Sequence, residues 1–154
     1  MTALTLMTDP WLDRFRTPTD QQLFDRYAEP TAEICSFLRT GITGFEGVGE
    51  DLTWMGIPWR WAMRYQVEGD VTPLLAVLAP LPERPVLCIP LTTTVIEAVP
   101  ARRLTRFIRE GIQRGPLVGG VLWCEWEPNA RSQADELVGL VKRKHQIARD
   151  AAES

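Results

Sequence analysis

Read for its apolar positions, the chain changes period several times. From Thr19, Leu23, Phe24 and Tyr27 recur at spacings of three and four, which predicts a helix. Pro30 suits the first turn of a second helix, where a missing N–H costs nothing, and Ile34, Phe37 and Leu38 give that helix one apolar side up to a C-terminal cap at Gly41. Gly41, Gly44, Gly47 and Gly49 make a connector over 41–49. The period becomes two in Trp59-Arg60-Trp61-Ala62-Met63-Arg64-Tyr65-Gln66-Val67, where odd positions are large and apolar and even positions mostly polar. That is the pattern of a half-buried antiparallel strand. A shorter strand around Leu52-Thr53-Trp54-Met55 precedes it, and Gly69-Asp70 follows as a turn signal. Leu74 to Leu78 and Val86 to Ile89 read as strands separated by the proline-rich segment 80–85. After Pro100 a helical stripe of Leu104, Phe107, Ile108 and Ile112 ends at Gly115-Pro116, and Val121 to Trp126 is a last strand. Ser132 then caps a final helix, with Asp135 and Glu136 in its first turn and Lys142, Arg143 and Lys144 toward the pole that favours cations. Leu137, Leu140, Val141 and Ile147 give its buried side.

The order helix, helix, four strands, helix, strand, helix has no regular βαβ alternation, which excludes a doubly wound parallel sheet and predicts an α+β domain: one antiparallel sheet of about five strands with helices on one face. Residues 1–18, cut by Pro10 and Pro18, read as a loose leader that Trp11, Leu12 and Phe15 pin to the body; residues 19–150 form the single domain.

Composition narrows the partners. The 154 residues suffice for one domain with its own core. A net charge of −3 and a pI near 5.2 argue against non-specific nucleic-acid binding and against docking on anionic membrane. The N-terminal stretch lacks the basic start and long apolar run of a secretory signal, and no segment is long and apolar enough to span a membrane, so a cytoplasmic location is expected. Cys35, Cys88 and Cys124 are odd in number and lack Cys-x-x-Cys spacing, which predicts buried free thiols rather than disulfides or a zinc knuckle.

Six tryptophans are many for this length, and Trp54, Trp59, Trp61 and Trp123 fall in predicted strands. Such residues either fill a core or line a pocket. Trp123 and Trp126 have opposite parity and are expected on opposite sheet faces. Arg60 and Arg64, on the polar side of the clearest strand, suit a bidentate grip on carboxylate or phosphate. The glycine connector lacks the Gly-Lys-Ser/Thr ending of a phosphate loop. His145, the single histidine, has no local nucleophile beside it, and no histidine-based metal site can be built. Acidic residues gather at Glu46, Glu50 and Asp51 and at Glu125 and Glu127 without EF-hand spacing.

The run Leu52-Thr53-Trp54-Met55-Gly56-Ile57-Pro58, a strand containing Arg64-Tyr65, and a closing helix with Leu140 to Lys144 resemble the YdhG-like family of small bacterial domains and a related-looking uncharacterised bacterial family. The resemblance spans residues 19–148 and implies an α+β fold; for some members it also implies iron handling, although no ligand motif matches residue by residue. Three readings follow. Trp54, Trp59, Trp61, Tyr65 and Trp123, with Arg60 or Arg64 at the rim, line a pocket for a small molecule or peptide. Alternatively, that surface makes a homodimer or partner interface, or the acidic clusters handle iron. The cofactor is left open, and no catalytic set assembles by local spacing, so an enzyme is least favoured.

Overall fold

The computed structural model describes residues 9–67 and 74–153. The first eight residues of the expected leader and the turn expected at Gly69-Asp70 lie outside them. In chain order the elements are α1 (Asp20–Phe24), α2 (Glu29–Thr43), β1 (Val48–Trp54), β2 (Trp61–Val67), β3 (Ala76–Pro80), β4 (Pro85–Thr92), α3 (Thr93–Ala98), a 3-10 turn (Ala101–Arg103), α4 (Arg106–Arg114), β5 (Leu117–Val118), β6 (Val121–Trp126) and α5 (Arg131–Glu153). Among the described residues the strands form one antiparallel sheet in the order β1-β2-β3-β4-β6-β5. The α+β class holds.

Local chemistry explains the well-anticipated elements. Thr19 and Gln22 close a capping box on α1, the Gln22 N–H donating to Thr19 Oγ1 at 3.1 Å and the Thr19 N–H to Gln22 Oε1 at 2.9 Å. Pro30 stands in the first turn of α2. Alternation along β2 sends Trp61, Met63 and Tyr65 to the main core, where they meet Leu38 of α2 and Leu137 and Val141 of α5. The opposite sheet face carries a smaller cluster of Ala62, Val77, Ala79, Val86 and Cys88, and none of its members comes from a helix. The helices therefore lie on one face.

Several boundaries differ from expectation. The sheet has six strands rather than five, because Leu117 and Val118 pair with Leu122 and Val121 across Gly119-Gly120. Both glycines have positive φ (59° and 79°), as a tight hairpin requires. Thr93 to Ala98, for which the sequence pattern gives no element, is helix α3; the Thr92 hydroxyl accepts the Val95 N–H and caps it. Gly41 is not a cap. Helix α2 continues to Thr43 with Gly44 as its cap, and Gly41 lets α5 approach: a Cβ there would lie 3.0 Å from Val138 Cγ1. Trp59 and Arg60 belong to the β1–β2 turn, not the strand. That turn holds a cis Ile57-Pro58 bond and a left-handed Arg60 (φ 54°), and Met55 N–H closes it on Arg60 O at 2.7 Å. Helix α5 starts before Ser132, with Ala130 O accepting from the Gln133 and Ala134 N–H groups, so Ser132 does not cap and Asp135 and Glu136 lie beyond the first turn. Lys142 to Lys144 accordingly sit in the middle of the helix rather than at its pole.

Gly111 of α4 lies against the Trp126 indole, whose Nε1–H donates to Phe107 O at 3.1 Å; a Cβ on Gly111 would fall inside the indole ring. Gly139 of α5 has nothing within 4 Å of a built Cβ. Alanine should therefore act oppositely at the two helical glycines. Gly139→Ala is expected to raise stability by about 0.5–1 kcal/mol through helix propensity, whereas Gly111→Ala is expected to lower it by about 1–3 kcal/mol through overpacking. Denaturant midpoints of the two variants check this; a stabilised Gly111→Ala protein would contradict the contact.

Candidate functional site

The structure separates the residues the sequence grouped. Trp54 and Trp61 pair across β1 and β2 with centroids 5.7 Å apart, edge to face, on the helix-covered side. Trp61 is buried and its Nε1–H donates to Asp13 O at 2.7 Å. Tyr65 is fully buried and donates its hydroxyl to Glu50 Oε2 at 2.7 Å. Trp59 and Trp123 lie half-buried against the opposite face, so the parity difference between Trp123 and core-facing Trp126 is realised. Arg60 and Arg64 form no row: the Arg60 guanidinium stacks over Trp11, 5.3 Å from the ring centroid, while Arg64 pairs with Asp51 at 3.2 Å. The aromatics thus divide between the core and two faces instead of lining one cavity.

A polar cluster between α1, α2 and the sheet is self-satisfied. Arg39 of α2 grips Glu50 of β1 bidentately at 3.0 and 2.9 Å, reaches Asp20 at 3.0 Å, and stacks 4.7 Å from the Phe24 ring centroid. The hydrogen bond to Glu50 raises Arg39 further above its ordinary range, and the hydrogen bond from Arg39 lowers Asp20. Burial, then the Glu50 charge, pushes the Tyr65 phenol upward. Each partner holds the others, so the cluster ties α1 and α2 to β1 and β2.

The acidic residues do not converge. Glu50 is held in that cluster, Asp51 points to the opposite face toward Arg64 and Thr53, Glu46 pairs with Arg149 at 2.6 Å, and Glu127 pairs with Arg84 at 2.7 Å. Among the described residues no three His, Cys, Asp or Glu side chains gather as a metal would need. The three cysteines are free and buried, and burial pushes Cys35 and Cys88 up to about 12 and Cys124 up to about 11, so they stay protonated at neutral pH.

A different place combines room, apolar walls and unusual polar groups. Between α5 and the sheet end where β2 and β4 finish and β6 begins lies a cleft of about 270 Å³. An apolar cavity of about 150 Å³ already accepts a benzene-sized molecule. Val67, Leu75, Val95, Val121 and Ile147 contribute large apolar side chains to its wall, with Lys144 and His145 beside them. Lys144 is only 7% exposed; its Nζ donates to Leu74 O at 2.6 Å and Leu75 O at 3.1 Å. No carboxylate contacts it among the described residues. Burial lowers it to about 7. His145 is 5% exposed, lies against Phe45 and places Nε2 3.1 Å from Glu46 O. A carbonyl only accepts, so Nε2 carries the proton and Nδ1 presents a lone pair in the neutral ring. That Nδ1 is buried and has no partner among the described residues.

Neither residue was singled out for binding by the sequence reading, which saw Lys144 in a basic trio. A signal was present nonetheless. Leu137, Val141, Lys144 and Ala148 stand at spacings of four, three and four, so Lys144 occupies a position on the apolar stripe of α5 while Lys142 and Arg143 do not. A buried base with a shifted pKa in an apolar cleft is the kind of feature that marks a functional site.

The shift has a measurable consequence. The folded value of Lys144 lies near 7 against an unfolded 10.5, so above pH 7 the unfolded chain holds a proton that the folded chain has released. Unfolding free energy should therefore rise with pH from about 7 to about 8.5, with a limiting slope of about 1.4 kcal/mol per pH unit. Below pH 7 the cost of the buried charge is present in full. Above about 8.5 the thiols act with the opposite sign, because the unfolded chain loses thiol protons that the fold retains. Urea midpoints at pH 7 and 8.5 should rise in the natural chain and flatten in Lys144→Met; equal slopes in the two would contradict a depressed amine.

Comparison of the chain with family models, curated proteins and solved structures finds no match, so the cleft is interpreted from its own chemistry.

Proposed function

We propose that this protein is a small-molecule binding module whose ligand is compact, largely apolar and carries one polar head, and that the ligand lies in the cleft between α5 and the sheet. The observation that carries this reading is the conjunction, in one apolar wall, of a buried lysine and a buried histidine ring nitrogen that have, among the described residues, no counter-ion and no partner respectively. A polar head on the ligand would give these groups a further partner, and leaving polar groups buried and unpaired is costly. The valine- and isoleucine-rich wall would take the apolar part. The two faces of the sheet are less suited to this role, because Trp61 and Tyr65 are buried and Arg64 is paired.

A simple probe is 1-hexanol. Its six carbons bring a gross transfer energy of about 5 kcal/mol, much of which the cost of association consumes, so millimolar binding is the expected scale. Titration followed by amide NMR should shift signals of Val67, Val95, Val121 and His145 saturably. Ala148→Trp, at an exposed α5 position that lines the cleft, should abolish those shifts while leaving the thermal midpoint within a few degrees. Shifts clustered instead around Trp59 and Trp123, or none anywhere, would sink the proposal.

A further inference from the structure

We propose that Lys144 is a reactive amine that captures small apolar aldehydes or ketones as imines inside the cleft. This rests on the binding reading above and deepens it by naming the ligand's polar head as a carbonyl.

The hydrogen-bond count at Nζ favours a neutral amine. A neutral amine has two N–H groups and one lone pair, and an ammonium has three N–H groups. Lys144 finds two acceptors, Leu74 O and Leu75 O, and no third among the described residues. The two carbonyls therefore satisfy both donors of the amine, and the lone pair remains. An ammonium in the same place would bury one N–H without a partner, and a charge without a counter-ion, among the described residues. The titratable groups that act on Lys144 electrostatically are the Cys88 and Cys124 thiols, both protonated at neutral pH, and His145 adjoins it in the same wall. Burial lowers the amine to about 7, so a substantial share of it is unprotonated near neutrality, where an ordinary lysine is almost wholly charged.

The chemistry balances without an oxidant or a cofactor. The Nζ lone pair attacks the carbonyl carbon, the C=O π electrons move to oxygen, and a proton passes from nitrogen to that oxygen to give a carbinolamine. The nitrogen lone pair then expels the hydroxyl as water, with one proton supplied to the leaving oxygen. The products are an iminium and one water; the iminium then returns its single N–H proton, so the net reaction is neutral amine plus carbonyl giving neutral imine plus water. His145, whose Nδ1 has no partner among the described residues and which lines the same cleft, is a group suited to carry the proton. The apolar wall limits the water available for hydrolysis.

The chain contains its own control. Its two lysines are Lys142, exposed, and Lys144, buried two residues away. The full chain is incubated with hexanal and sodium cyanoborohydride at pH 7, and the adducts are mapped by peptide mass spectrometry. Reductive alkylation is expected at Lys144 at least about tenfold faster than at Lys142, because the free-amine fractions differ by far more than that. Excess 1-hexanol should slow the Lys144 adduct and leave the Lys142 adduct unchanged. Equal rates at the two lysines, in a protein that binds 1-hexanol, would overturn the imine inference and leave the binding reading standing. Absence of both hexanol binding and preferential labelling would overturn both. The comparison uses the natural chain, so it does not depend on any variant folding.

Discussion

The close approach of α5 to α2 sets much of the rest of the structure. Gly41, without a side chain, admits Val138, and this lets the last helix lie deep against the core with Leu137 and Val141 fully buried. Six residues further on, a helix has risen ~9 Å, and Lys144 reaches the sheet end. The loop after α2 continues the same contact: Phe45 lies against the His145 ring, Glu46 O meets His145 Nε2, and the Glu46 carboxylate pairs with Arg149. One small residue in α2 thus governs how closely α5 packs, and α5 forms one wall of the cleft. A larger residue at 41 would move that wall, which links a packing position to a site at the far end of the helix.

Arg39 and Lys144 stand close to the core in different settings. Arg39 is permanently charged, and the structure surrounds it with two carboxylates and an aromatic ring, leaving it a fixed tie between helices and sheet. Lys144 is given two backbone carbonyls and apolar neighbours. An amine can shed its proton where a guanidinium cannot, so the second environment is tolerable only for lysine. The contrast separates a structural ion network from a group whose protonation state remains adjustable.

How much of this was legible in the sequence depends on which interactions decide each element. Period-two alternation through Trp61 to Val67 and the helical stripes of α2 and α4 follow from burial on one side, and the one-sided α+β architecture was readable from them. The free, buried cysteines followed from their spacing. Helix α3 was not readable, because Thr93 to Ile96 are β-branched or strand-neutral and a cap at Thr92 together with packing overrides propensity. Nor was Gly41, since its role is a contact with a residue almost a hundred positions away. At the site, Trp54, Trp59, Trp61, Tyr65 and Trp123 drew attention by residue type, yet alternation and the turn at Gly56 to Arg60 distribute them over two faces. Lys144 was masked by Lys142 and Arg143 when read as a charge run and stands out only when read by helical phase.

The geometry of the sheet explains why aromatic content was a poor guide to open space. Trp54, Trp61 and Trp126 stand toward one end of the strands, where Trp54 pairs with Trp61 and Trp126 with Leu87. Large rings close gaps, and at that end they do so together with Trp11, whose Nε1–H donates to Trp59 O. The opposite end is built from Val67, Leu75, Thr92 and Val121, shorter side chains that cannot fill the space beneath a helix. Room for a ligand arises where the side chains are small and the helix above them still passes over. A buried amine at that place is then surrounded by the low dielectric that alters its protonation, so the same shortage of side-chain volume produces both the cleft and the chemistry inside it.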